Sequence, residues 1–154
     1  MTLLSFVLRL IASIFAGGLV GLERQRSNKS AGIRTNTLVA MGACIYVLIN
    51  VSLSDHSGTD PTRIIGQIVT GIGFLGAGVI LHHGGSIQGL TTAATVWCSA
   101  ALGCLAGLGM YWEVLICTFA VFIINISFKT DKLFSKSQER ESRKQKRDSD
   151  EGYE

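Results

Sequence analysis

From Ile64 to Trp112 the chain runs for 49 residues without an Asp, Glu, Lys or Arg, and only His82 and His83 interrupt its neutrality. A water-soluble domain needs a polar face on nearly every element, so it has no place for an uncharged stretch of this length. A bilayer does, since one crossing takes about 20 apolar residues. The stretch also contains Gly71, Gly73 and Gly76, which spell the G-x-G-x-x-G of a dinucleotide-binding turn. That turn requires an acidic residue about 20 positions on to hold a ribose. No acidic residue stands between Asp60 and Glu113, so the glycines have another purpose.

The rest of the chain agrees with a membrane solvent. Of 154 residues 47% are hydrophobic and 16% charged, with 18 glycines and one proline. Five apolar runs stand out: Leu3–Leu22, Thr35–Leu53, Ile64–Leu81, Leu90–Met110 and Trp112–Phe128. Every crossing must satisfy its own backbone hydrogen bonds, and short connectors leave the α-helix as the element that does so. The predicted fold class is therefore an all-α membrane protein, a bundle of five transmembrane helices over residues 1–128 followed by a charged, disordered tail over 129–154. The first run lacks the basic leader and small-residue cleavage site of a signal peptide, and is expected to stay as a helix.

Basic residues set the expected orientation. The connector Glu23–Arg34 holds Arg24, Arg26, Lys29 and Arg34, and eight more follow Phe128. Twelve of the fourteen thus fall on one side, which predicts a cytoplasmic C-terminus and an N-terminus outside. In the tail the eight bases mix with seven acids, which predicts attraction to anionic headgroups at its start.

Membrane helices gain little from apolar burial against each other, so small residues that admit close backbone approach carry much of their association. The third run offers Gly66, Thr70, Gly73 and Ala77 as a continuous stripe, flanked by Gly71, Gly76 and Gly78. Gly17 and Gly21 repeat the spacing on the first run, and Gly103 and Gly107 on the fourth. All nine glycines are expected to be helix contacts. The fifth run has no glycine and is expected to face lipid.

Five blocks of the sequence stand in a fixed order: GLERQ (Gly21–Gln25), AGIRTNTLVAMGA (Ala31–Ala43), DPTRI (Asp60–Ile64), GIGFLGAGVI (Gly71–Ile80) and GLTTAATVWCSAALG (Gly89–Gly103). Together they resemble the motif set of the MgtC/SapB membrane proteins. Their order and spacing match across roughly residues 10 to 125. The resemblance implies a multi-pass protein of the bacterial inner (plasma) membrane, tied to magnesium homeostasis, stress adaptation and virulence. It further implies action on another membrane complex, such as an F-type ATP synthase or a cation transport system. Longer relatives carry a cytoplasmic domain resembling the ACT fold, and the residues after Phe128 are expected to lack it.

The charged residues of these blocks are the first functional candidates. Glu23 with Arg24 or Arg34 reads as an ion-paired cluster that closes an entrance or meets a partner, and equally as interfacial anchoring. Asp60 and Pro61 read as the N-cap and first position of the third helix, with Arg63 pairing Asp60 or reaching headgroups. Arg9, inside the first apolar run, either pairs with Asp55, Asp60 or Glu113 or snorkels outward. Thr91, Thr92, Thr95, Trp97, Cys98 and Ser99 give the fourth helix a polar lining, suited to a narrow path or to bonds between helices. Adjacent His82 and His83 would point apart on a helix, and the four cysteines lack metal-ligand spacing, so no metal or cofactor is expected.

Three classes of function remain. A non-enzymatic protein that modulates another membrane complex stands first, and a small transporter or channel for Mg2+ or another solute second. An enzyme stands last, for want of a nucleophile–base pair. Against transport, no carboxylate falls within Thr35–Leu53, Ile64–Leu81 or Leu90–Met110, where a cation path would use oxygen anions. The expected associations are the lipid bilayer, a membrane-protein partner and a second copy in a homo-oligomer, most simply a dimer. Nucleic acid is not among them.

Overall fold

Each apolar run forms a helix. The structure, a computed structural model, describes residues 1–57, 61–83 and 86–127. The helices are α1 (Leu3–Arg26), α2 (Ile33–Ser57), α3 (Pro61–Val79), α4 (Leu90–Leu108) and α5 (Tyr111–Ser127). Four of them are long and apolar enough to cross a membrane. The 17 residues of α5 rise about 26 Å, a little under the ~30 Å hydrocarbon core. The protein is an all-α membrane bundle. Met1–Ile123 forms one unit, and Ile124–Ser127 carries α5 into a second whose remainder, with the expected disordered tail, lies outside the described residues.

Local chemistry sets the helix ends. The Ser5 amide donates to the Thr2 hydroxyl at 3.3 Å to open α1. At its far end α1 runs one turn past the apolar segment, because the Ser27 amide still reaches the Glu23 carbonyl at 2.9 Å. Asn28 then takes a left-handed φ of 54° and the Lys29 amide folds back to the Arg24 carbonyl at 3.0 Å, which stops the helix. Glu23 and Arg24 are thereby held rigidly on helix rather than on a loop. Pro61 is the first residue of α3, where its missing N–H costs nothing. The N-cap expected at Asp60 lies outside the described residues.

Between α3 and α4 the chain makes an antiparallel hairpin, β1 (Leu81–His83) on β2 (Ser86–Gln88), with His82 opposite Ile87. The sequence reading contained no strand here, and the hairpin ends α3 two residues earlier than expected. Gly89 closes it at φ 91°, with its Cα so near the Val79 carbonyl that a Cβ would lie 2.2 Å from that oxygen. Only glycine fits there.

The core is built by α1, α2 and α4, with α3 resting on α4 and, more lightly, on α2. Ala16, Val20, Cys44, Leu48, Leu102, Ala106 and Val114 form one buried cluster. Ala43, Val47, Ile72, Val96, Ala100 and Cys104 contribute to a second. Four glycines let these helices touch. A Cβ on Gly103 would lie 2.1 Å from the Ala40 carbonyl oxygen, and one on Gly107 2.7 Å from the Val47 Cβ. On α1, a Cβ on Gly17 would lie 2.6 Å from the Asn36 carbonyl oxygen, and one on Gly21 2.6 Å from the Ile33 Cα.

The α3 stripe behaves otherwise. Added Cβ atoms at Gly66, Gly71, Gly73 and Gly78 would meet nothing within 4 Å, and at Gly76 only the Ala93 methyl at an ordinary 3.7 Å. Among the described residues the expectation of contact through those four glycines is not met, because α3 lies at the margin of the bundle, and Gly71 borders an open groove beside α2. Large apolar side chains are also outside: Phe74 is 83% exposed and Trp112 77%. In water that surface would be untenable, but in lipid it is the ordinary one.

Candidate functional site

What the bundle buries, beside small apolar residues, is polar. Ser13, Glu23, Arg24, Asn36, Thr92, Thr95, Ser99 and Thr118 are all at most 7% exposed. Most of them gather where α1 ends and where α2 and α4 begin.

Helical spacing explains the gathering. Gly17, Gly21 and Arg24 follow at i, i+4 and i+7, so the face that approaches α2 through two glycines delivers the guanidinium into the bundle. There Arg24 Nη2 donates to the Thr92 hydroxyl at 2.6 Å, and the Ser30 hydroxyl donates to the same oxygen at 3.4 Å. Glu23, one position back, lies on the Ala16–Val20 stripe. Its Oε1 accepts from the Ser27 hydroxyl at 2.5 Å, and its Oε2 is buried with no partner among the described residues. Arg24 Nε is likewise buried without a partner.

A second polar pair joins α2 to α4. The Ser99 hydroxyl donates to Asn36 Oδ1 at 2.8 Å, while Asn36 Nδ2 donates to the Ala31 and Gly32 carbonyls at 3.0 Å each. Asn36 therefore ties the start of α2 both to its own connector and to α4. Thr92, Thr95 and Ser99 occupy i, i+3 and i+7 of α4, which puts all three hydroxyls on its inner face. Thr95 spends its hydrogen on the Thr91 carbonyl at 2.8 Å.

The far end of the bundle has a different device. Arg9 Nη1 donates to the Gly107 carbonyl at 2.8 Å, and Gly109 turns left-handed at φ 82° under the guanidinium. A cation thus sits at the C-terminus of α4, where unsatisfied carbonyls and the helix dipole favour it. Among the described residues the partner of Arg9 is this carbonyl, and the side chains of two of its expected partners, Asp55 and Asp60, lie outside them.

The candidates divide accordingly. Glu23, Arg24 and Thr92 come together with Ser27, Ser30, Asn36 and Ser99. Thr91 is exposed and contributes only backbone. Arg34 and Arg63 are exposed, so the cluster imagined around Glu23 does not include Arg34, whose side chain leaves the first turn of α2 outward. Trp97 is 54% exposed and Cys98 half-buried, and both line an apolar groove of about 440 Å³ between α3 and α4. Asp60 lies outside the described residues. Ser27 and Ser30 were not candidates, because a serine in a polar connector carries no sequence signal until its neighbour is known. Among the described residues no group of three His, Cys, Asp or Glu could hold a metal.

A membrane bundle with apolar side chains outside and a charged, hydroxyl-rich cluster buried at one end is a multi-pass membrane protein with a built polar site. The model of the MgtC family matches residues 10–132. Protein MgtC of Salmonella typhimurium is 47% identical over 126 residues, covering 82% of this chain and 53% of that protein. Protein MgtC of Brucella abortus is 47% identical over 116 residues, 75% of this chain and 48% of that protein. An uncharacterized protein of Synechocystis sp. is 46% identical over 132 residues, 86% and 56% respectively. The chain spans about half the length of the curated relatives it matches. No solved structure matches it. The chain belongs to the MgtC family.

Proposed function

We propose that this protein is a non-enzymatic regulator of the bacterial inner membrane. It supports adaptation to magnesium limitation by modulating another membrane complex, as its likeness to proteins named MgtC suggests. The C-terminus and the Glu23 end of the bundle face the cytoplasm in this reading, in keeping with the one-sided basic residues. The observation that carries it is the closed interior of α1, α2 and α4. Backbones meet at Gly17, Gly21, Gly103 and Gly107, and apolar side chains fill the space between. Of the buried hydroxyls of α4, Thr92 bonds Arg24 of α1 and Ser99 bonds Asn36 of α2, which makes them joints between helices rather than ligands along a path.

A small cation transporter is the second reading. The observation favouring it is the buried Glu23 carboxylate with one oxygen unpartnered. The two separate in one experiment. Protein purified into liposomes is assayed for Mg2+ and monovalent cation flux, and the same gene is scored for growth in low magnesium. A growth benefit without flux is expected. Robust flux from the pure protein would reverse the ranking. Co-purification in mild detergent then identifies the client.

A further inference from the structure

The first turn of α4 is an anomaly at the polar end. A helix begins with amides that have no intrahelical acceptor, and a capping side chain usually takes one of them. Here the N-cap is Gly89, which has no side chain, and no cap bond is made. Among the described residues nothing accepts from the Leu90, Thr91 and Thr92 amides. A hydroxyl-bearing or acidic residue is excluded at position 89 by the Val79 carbonyl, so the hairpin itself enforces the bare start.

Against this turn stands a buried cation. Arg24 is 2% exposed, its Nη2 is on Thr92 of that same turn, and its Nε has no partner among the described residues. The Ser30 hydroxyl reaches Thr92 from the other side. Thr92, accepting from both, keeps its own hydrogen free to donate. Lys29 and Arg26 lie on the adjoining end of α1 and its connector. Among the described residues Glu23 is the acidic side chain near by, and its bonded oxygen accepts from Ser27. The place is closed on one side by Arg24 and Thr92 and open on the other, where Ser30, Leu90 and Thr91 are exposed.

From these two independent features, an uncapped helix start and a nine-tenths-buried guanidinium with an unused donor, we infer that the first turn of α4 binds a phosphate-type anion. Free amides aligned with a helix dipole are a ready anion site, and an arginine behind them adds charge where water is scarce. Two sources carry that chemistry. A lipid phosphate lies at the depth where a membrane helix starts, and a soluble phosphate reaches the same turn from the aqueous side.

The test uses full-length protein in a phosphate-free maltoside detergent. Its melting temperature is measured with inorganic phosphate, with phosphatidylglycerol, and with diacylglycerol as the phosphate-free lipid. The site predicts a rise of about 5 °C with one or both phosphate sources and none with diacylglycerol. A rise with inorganic phosphate identifies a soluble ligand, and a rise with phosphatidylglycerol alone identifies the headgroup. Arg24→Gln abolishes the rise and Arg63→Gln, the same charge change on an exposed residue of α3, keeps it. Thr91→Asp places a carboxylate over the free amides at an exposed first-turn position that the helix dipole favours, and abolishes or halves the rise even where Arg24→Gln does not fold. No rise with either source, or a full rise in Thr91→Asp and in any folded Arg24→Gln, overturns the site.

Discussion

α3 and α4 are both glycine-rich, both apolar, and both 19 residues long. Gly103 and Gly107 of α4 press against the backbone and side chains of α2, whereas Gly66, Gly71, Gly73 and Gly78 of α3 meet nothing. The same residue type at similar spacing thus does opposite things. In α4 the missing side chain removes an obstacle, and the helix gains van der Waals contact along its length. In α3 it removes a side chain that lipid would otherwise have surrounded, and the chain itself gains nothing. A small-residue pattern marks a helix able to pack closely. Position in the bundle determines whether it does.

The largest effect that would break this comparison is at Gly103. A Cβ alone would lie 2.1 Å from the Ala40 carbonyl, so Gly103→Leu must force α2 and α4 apart. A loss of about 3 kcal/mol or more is expected, seen as little folded protein on size exclusion in mild detergent. Normal yield and an unchanged melt would mean that the α2–α4 contact is not what holds the bundle.

Next comes Arg9→Met, which keeps the length of the side chain but leaves the Gly107 carbonyl without its donor at the end of α4. The expected cost is about 1–3 kcal/mol in thermal or denaturant unfolding. An equal melt would show that α4 ends as firmly without the cation.

Ser99→Ala tests the polar joint between α2 and α4. The hydroxyl donates to Asn36 Oδ1 in the buried interior, and bonds of this kind between membrane helices are worth about 0.6–1.7 kcal/mol. Asn36 retains its two carbonyl acceptors, so the fold should survive with a lowered melting temperature. A loss of all folded protein would mean that the joint carries far more than one bond.

The smallest effect is expected at Gly73. With open space around it, Gly73→Ala should be neutral or stabilise the isolated chain by up to about 1 kcal/mol through helix propensity. A marked loss of stability, accompanied by a change in oligomer size, would show that α3 gives its small face to a second copy. That outcome would restore the contact role for α3 at another interface.

Much of this architecture is legible in the residues. The 49 uncharged positions from Ile64 to Trp112 require a membrane, and the five apolar runs correspond to five helices. Pro61 marks the start of α3 because its ring suits only a first turn. The hairpin at Leu81–Gln88 is not legible, since three-residue strands are too short to display an alternating pattern. In the polar cluster Glu23, Arg24 and Thr92 stand out by chemistry. Their partners Ser27 and Ser30 do not, because an ordinary serine becomes significant only beside a buried charge.

Hydropathy alone therefore determined that this chain is a multi-pass membrane protein and which segments form its apolar helices, because transfer of an apolar helix into lipid depends on its own composition. Motif order alone determined the family. The tertiary structure decided which helices are central, which glycines are contacts, and where each buried charge finds its partner. These depend on distances between residues far apart in the chain: Arg9 to Gly107, Arg24 to Thr92, Asn36 to Ser99. A bond between positions 98, 68 or 63 residues apart leaves no periodic trace in sequence, since neither partner's neighbours reveal the other until the helices have packed.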